Sequence, residues 1–320
     1  MTPSSVGVIW PDGHTSQYQD QWLRDRAWPW AETLTGKVFW GAGHALRRHQ
    51  FGEIVEDEKA MLDWLEDIEA YGMTIVENTP LTTEGMKELQ PKIGSVKSTH
   101  FGSFWNVKTK ADAMNLAYTS ATLGLHLDLP FYSYTPGVQF LHCIKQYKGS
   151  GGDNQFADAF AVAEKMREDF PAEFKLLSET NVHFWDAGDL DMDADTENSG
   201  KFHKRNSFPT FRLDQSGQVT QVAFNNQVRS SQLSGDADLT KALYRALKLF
   251  NSLCYSQQFM VKYKMNEGDI AVFDNMRVMH GREGFTVAEG EDGGRHLHGC
   301  YIDWDEIKDK INVLKNRKLV

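Results

Sequence analysis

The chain has 320 residues, 41% hydrophobic and 24% charged, which suits a large buried core and argues against a disordered chain. Asp and Glu number 44 against 34 Lys and Arg, and the net charge of −10 argues against non-specific binding to nucleic acid or an anionic membrane, which usually needs a basic face. No apolar run reaches the roughly 18 residues of a membrane span. Met1 to Gly13 lacks a signal-peptide core, and Cys143, Cys254 and Cys300 form neither a disulfide framework nor a zinc pair, so a soluble chain in a reducing, cytoplasmic compartment is expected.

In chain order, Val6 to Trp10, the Asp12-Gly13 turn and Thr15 to Trp22 read as strand, tight turn, strand and short helix, a small flap. Glu56 to Tyr71 carries Ala60, Met61, Leu65 and Ile68 at near-helical spacing with Gly72 as its stop, and Met73 to Glu77 follows as a strand. Thr82 to Ile93 reads as a helix capped by Thr82 or Thr83. Beyond residue 95, strands are predicted at Leu116 to Ser120, Gly137 to Ile144, Phe208 to Leu213, Val219 to Phe224, Phe259 to Met265, Ile270 to Phe273 and His296 to Ile302. Two helices interrupt them, Ala159 to Phe170 capped by Asp158 and Ala237 to Leu253. Gly188 to Ser207 reads as a surface loop or lid, and Lys308 to Lys318 as a solvated helix face. Short strands with hairpin turns and inserted helices, without βαβ alternation, predict a mainly β (α+β) fold with a jelly-roll core rather than a parallel sheet.

Within Leu125-His126-Leu127-Asp128-Leu129-Pro130, an extended backbone would put His126 and Asp128 on one face as a two-point claw for a divalent metal. The pattern alone is weak, because 11 histidines and 44 acids produce about one such pair by chance. A third ligand is available in His280, just after the strand Ile270 to Phe273. Two His and one carboxylate on one face of an octahedron suit non-haem Fe(II) and leave positions open. Arg295 opens the next predicted strand, where a guanidinium can hold a carboxylate such as the far one of 2-oxoglutarate. On residue type alone, His280 also reads as a hydrogen-bonded strand-end histidine, Arg295 as a surface ion-pair partner, and Trp105, Tyr118 and Tyr301 as core aromatics. Asn225-Asn226 also reads as a turn, and His142, His296 and His298 as packing groups outside the site. No G-x-S-x-G elbow or phosphate loop occurs.

His126-x-Asp128, the run Gly137 to Gln146, Gly151-Gly152-Asp153, Phe224-Asn225-Asn226, the block Phe273 to Arg282, and Arg295-His296-Leu297-x-Gly299-x-Tyr301-x-Asp303-Trp304-Asp305 resemble the γ-butyrobetaine dioxygenase family. This is the carnitine-forming branch of the Fe(II)/2-oxoglutarate oxygenases related to taurine dioxygenase, and the resemblance runs from Val6 to Arg317. It implies a double-stranded β-helix over residues 36–320 behind an N-terminal flap at 1–35. Fe(II) would sit on His126, Asp128 and His280, and 2-oxoglutarate on Arg295 with help near Leu141. It also implies hydroxylation of γ-butyrobetaine at C3 to L-carnitine with release of succinate and CO2, O2 as co-reactant, ascorbate as an optional reductant and a homodimer. The alternatives are hydroxylation of trimethyllysine or another small trimethylammonium acid, and a non-catalytic jelly-roll binding protein.

The same resemblance implies an aromatic cage of Trp105, Tyr118 and Tyr301 with Phe101 as a fourth wall, and Asn115 and Asn226 at the substrate's carboxylate. Three departures stand out. The cysteines of the family's small zinc module are absent and only its histidine equivalent, His14, remains, so no structural zinc is predicted and the flap reads as a truncated remnant. Phe101 replaces a usual tyrosine, and Leu129 replaces an aromatic after the metal aspartate, which bears on substrate identity rather than on the chemistry.

Overall fold

The computed structural model describes residues 5–24, 26, 36–108, 119–189, 201–233, 235–289 and 294–315. It divides into two units, Met1–Lys37 and Val38–Val320. In the first, Ser5–Ile9 pairs antiparallel with Thr15–Gln19 across the predicted turn and the helix Asp20–Arg24 follows. This hairpin buries little and is held locally, by Trp10 Nε1 donating to Ser16 Oγ (3.0 Å) and Tyr18 stacked on Trp22.

The second unit is built on a six-stranded sheet in the order Arg47–Gln50, Met73–Glu77, Ile270–Asp274, Val138–Lys145, His296–Ile302, Phe104–Lys108. All neighbours are antiparallel except the first pair. The strand period of two sorts its side chains. Ile270, Val272, Phe140, Cys300 and Ile302 form one core with Trp64, Leu65 and Ile68 of the helix Glu58–Tyr71 and Ile307 and Ile311 of the helix Trp304–Lys315. Ala271, Phe273, Leu141, Cys143, Leu297 and Tyr301 point the other way into a second core. Each such buried aliphatic or aromatic side chain contributes about 1.5–3 kcal/mol. The helix Glu58–Tyr71 starts at Asp57, whose carboxylate accepts from the Lys59 amide, and stops at Gly72 with φ of 71°, the left-handed cap the sequence predicts.

Across the second core lies a four-stranded antiparallel sheet, Val261–Tyr263, Asn154–Asp158, Val278–Arg282 and Leu123–His126. Phe156 and Phe273 meet edge to face at 5.7 Å between the two sheets. The same core continues through Phe211, Phe224 and Phe250 into the helices Ala159–Asp169, Pro171–Glu179 and Ala237–Cys254. Two facing sheets, antiparallel but for the edge pair Arg47–Gln50 and Met73–Glu77, flanked by helices, are the jelly-roll core expected from the sequence. Fully buried Arg277 clamps this arrangement: Nε and Nη2 donate to the Asp158 carboxylate (3.0 and 2.7 Å), and the remaining donors reach the carbonyls of Ala70 and Val38. Asp158 also caps Ala159–Asp169 through the Phe160 amide, so both carboxylate oxygens and every nitrogen of the guanidinium are hydrogen-bonded, as a buried ion pair requires.

The structure departs from the sequence reading in several of its elements. Gly188 to Ser207 is not simply a loop: Asn181–Asp189 and Lys201–Pro209 pair over nine positions as an antiparallel hairpin around residues outside the description. Of the predicted strand Leu116 to Ser120, only Thr119 and Ser120 are described, and they form a bend. Asn154–Asp158 and Val278–Arg282 were not predicted; buried at every position, they carry no alternating pattern to read.

Candidate active site

The strand Leu123–His126 ends at His126, so His126 and Asp128 do not share one strand as the sequence reading had it. Beyond the strand end, Leu127 donates its amide to the Phe224 carbonyl, and Leu129 takes the left-handed region at φ of 56°. Asn275, fully buried, fixes this turn by donating to the carbonyls of Asp128 (3.0 Å) and Pro136 (3.1 Å) and accepting the Asp128 amide (2.7 Å). The strained Leu129 backbone, worth on the order of 1–3 kcal/mol, is thus held by three hydrogen bonds. The result still brings the pair together: His126 Nε2 lies 3.2 Å from Asp128 Oδ1.

His280 arrives from the neighbouring strand, register-paired with His126, and its Nε2 lies 3.8 Å from the same Oδ1. One donor atom from each of the three residues falls within 4.8 Å of the others, the donor set and spacing that one divalent ion needs. Two of the other ligand atoms are committed, one on His126 and one on Asp128. His126 Nδ1 lies 2.9 Å from the Gly124 carbonyl, which leaves Nε2 free to ligate, and Tyr301 donates its hydroxyl to Asp128 Oδ2 (2.7 Å). Burial alone would raise the Asp128 carboxyl, but His280, His126 and Tyr301 outweigh it and hold it well below the usual carboxylate range. Burial and the neighbouring His126 lower His280 to about 3, so it stands as the neutral imidazole a metal takes. Burial also opposes charge on His126, yet the Asp128 carboxylate outweighs it and raises that imidazole.

These ligands open into a cavity that both sheets line. Arg295 and Leu141, the residues assigned to 2-oxoglutarate, line it and are buried. Burial, then the nearby Arg282 charge, lower Arg295 to about 10. Arg282 lines the cavity too and donates to the carbonyls of Thr119 and Ala121. Two buried guanidiniums beside an open-faced donor set fit a dicarboxylate cosubstrate. Phe101, Trp105 and Tyr301 form aromatic walls, with Trp105 and Tyr301 5.6 Å apart. Trp105 lies flat over Gly299, where a Cβ would come within 2.4 Å of the indole, so the side chain's absence makes that wall possible.

Asn226 does not line the cavity: it is exposed, and its amide oxygen accepts from Arg229 Nε (3.2 Å). Its neighbour Asn225 lines the cavity instead, buried and donating to the Leu127 carbonyl (3.2 Å). Asn115 and Tyr118 lie outside the described residues. Sequence reasoning also gave no role to Asn275, Arg282 or Asp186, which lines the cavity from the hairpin. Asn275 and Arg282 both fall inside the block that drew attention to His280, a signal available in sequence. Asn275→Ala strands buried backbone groups, at about 1–3 kcal/mol. We expect it to weaken metal binding about 10- to 100-fold while the protein stays folded, as read by anaerobic iron titration; unchanged affinity would show that Asp128 needs no such support.

Residues 31–301 match the family described as taurine catabolism dioxygenase TauD, TfdA family. The chain is 32% identical over 322 residues to γ-butyrobetaine dioxygenase of Homo sapiens, spanning 98% of this chain and 80% of that protein. It is 34% identical over 315 residues to γ-butyrobetaine dioxygenase of Pseudomonas sp. (strain AK-1), spanning 96% and 78%. Trimethyllysine dioxygenase of Meyerozyma guilliermondii is 27% identical over 334 residues, spanning 98% and 80%. Among solved structures, an iron, α-ketoglutarate-dependent oxygenase from an isonitrile synthetic pathway superposes with a TM-score of 0.56 at 17% identity, covering 79% of this chain and 82% of that one.

Proposed function

Because the chain belongs to the TauD, TfdA dioxygenase family, we propose that it is an Fe(II)/2-oxoglutarate-dependent oxygenase that hydroxylates γ-butyrobetaine at C3 to give L-carnitine, succinate and CO2. The observation that carries the reading is the convergence of His126, Asp128 and His280 with Arg295 and the aromatic walls Phe101, Trp105 and Tyr301 in one cavity. When bound, iron and 2-oxoglutarate supply the oxidising chemistry, in which O2 and the cosubstrate are spent as one substrate C–H becomes C–OH. His126, Asp128 and His280 would hold the metal by one face. Arg295 would fix the far carboxylate of the cosubstrate, with Leu141 packed beside it. Phe101, Trp105 and Tyr301 would present π faces to a trimethylammonium group, which has no N–H to donate and is recognised at roughly 0.5–2 kcal/mol per good contact.

Phe101 keeps the ring of a tyrosine without its hydroxyl, so cation binding is retained and selectivity for chain length is looser. Asn225, rather than the exposed Asn226, is the amide available to the substrate's carboxylate. The reading includes a homodimer in a reducing, cytosol-like compartment, to which three buried, unpaired cysteines are suited. No helix among the described residues is long and apolar enough to cross a membrane.

A substrate panel scored by succinate release tests the reading. γ-Butyrobetaine should stimulate release well above background, and trimethyllysine or the dimethylamine and primary-amine analogues should do so much less. Trp105→Ala should raise the KM for γ-butyrobetaine about tenfold, a loss of about 1.4 kcal/mol, while leaving that for 2-oxoglutarate nearly unchanged. Stimulation by an uncharged acid but by neither trimethylated compound would overturn the cage.

A further inference from the structure

Resting on the trimethylammonium reading above, we propose that Asp186 is the counter-charge for the substrate's cation, a specificity-determining carboxylate on the hairpin formed by Asn181–Asp189 and Lys201–Pro209. The cavity holds two carboxylates. Asp128 is committed to His126, His280 and Tyr301. Asp186 is not so committed: among the described residues its carboxylate accepts one hydrogen bond, from the Ala187 amide (3.0 Å), and pairs with no cation. Its cross-strand neighbour Lys204 holds its ammonium over the Tyr132 ring instead, 4.9 Å from the centroid.

The hairpin that carries Asp186 also backs the aromatic wall. Phe202, on its second strand, packs against His100 (4.3 Å between ring centroids), and His100 against Phe101 (3.9 Å). Trp185 donates its amide to the carbonyl of Val228, another lining residue, which fixes the strand beside the cavity. Half-burial raises the Asp186 carboxyl, the direction expected of an acid waiting for a positive partner. The rings alone favour a quaternary cation over an uncharged tert-butyl group of the same shape only modestly. A carboxylate beside them separates the two by charge.

The test is binding under nitrogen to protein loaded with iron and 2-oxoglutarate, so that no turnover consumes ligand. The ligands are γ-butyrobetaine and its carbon isostere 5,5-dimethylhexanoate. Asp186→Asn should weaken γ-butyrobetaine about tenfold, a figure reduced for the group's partial exposure, and leave the isostere and 2-oxoglutarate unchanged. Asp186→Glu, which keeps the charge, should stay within about twofold of the unmodified protein. If Asp186→Asn weakens both ligands equally, or neither, the proposal is wrong. The two readings fail separately. Background turnover of γ-butyrobetaine combined with charge-selective loss in Asp186→Asn would overturn the proposed reaction and support the carboxylate, whereas robust turnover with no charge-selective loss would do the reverse.

Discussion

Asp128→Ala is expected to bring γ-butyrobetaine-stimulated succinate release down to background while the far-UV circular dichroism stays that of the folded chain. Asp128 Oδ1 is the atom on which the two imidazoles converge, at 3.2 and 3.8 Å, so its removal leaves two neutral ligands and an uncompensated face. Changing a hydrogen-bond partner of a metal ligand costs about 10- to 100-fold in affinity, and deleting the ligand itself should exceed that. His126→Ala should behave in the same way. The fold should survive, because Asp128 lies beyond the strand end and its turn is held by Asn275 rather than by its own side chain. A fully active Asp128→Ala protein would end the assignment of the metal set.

What could be read in sequence was what short range encodes. His126 and Asp128 are two residues apart; the strand invoked to pair them ends two residues before Asp128, yet the turn that follows brings the pair together. The strand Ile270–Asp274 and the helix Ala237–Cys254 carry plain apolar patterns and were found nearly to the residue. Asn154–Asp158, whose sequence is Asn-Gln-Phe-Ala-Asp, has no such pattern, because both of its faces are covered and its polar side chains are buried. Its place is set by partners more than 100 residues away. The same limit explains the substrate wall. Asn225 and Asn226 are indistinguishable by type, and only the turn that buries the first and exposes the second separates them. The hairpin bearing Asp186 is polar along most of its length, so it resembles a loop until its strands pair.

Long-range clamps convert these separate segments into one site. Arg277 and Asp158 tie the segment leading to His280 to the neighbouring strand and to Ala70 at the end of the helix Glu58–Tyr71. Asn275, two residues before Arg277, reaches across to Asp128. Ligands far apart in sequence therefore depend on a few buried polar groups, and the block from Phe273 to Arg282 serves both positioning and chemistry.

Arg295→Ala is expected to weaken 2-oxoglutarate by about 2–4 kcal/mol, roughly 30- to 1,000-fold in Kd, the usual result of truncating one partner of a buried charged pair. Arg295 is buried, lines the cavity, and has its Nε without a hydrogen-bond partner, as expected of a guanidinium whose acceptor is a ligand. The charge that acts on it most is another cation, Arg282, and burial lowers its pKa to about 10, so it keeps its proton near neutrality while bearing a desolvation cost that a carboxylate would offset. Arg295→Lys should recover only part of the loss, because an ammonium is a point charge and cannot grip both carboxylate oxygens in one plane. Arg282 should supply no more than residual binding, since its Nη2 already donates to two backbone carbonyls and only its other N–H groups are left for a carboxylate. The measurement is an anaerobic titration of 2-oxoglutarate into iron-loaded protein, with iron affinity measured in parallel. A large loss of 2-oxoglutarate affinity with iron binding intact supports the assignment; an unchanged Kd would move the dicarboxylate site elsewhere in the cavity.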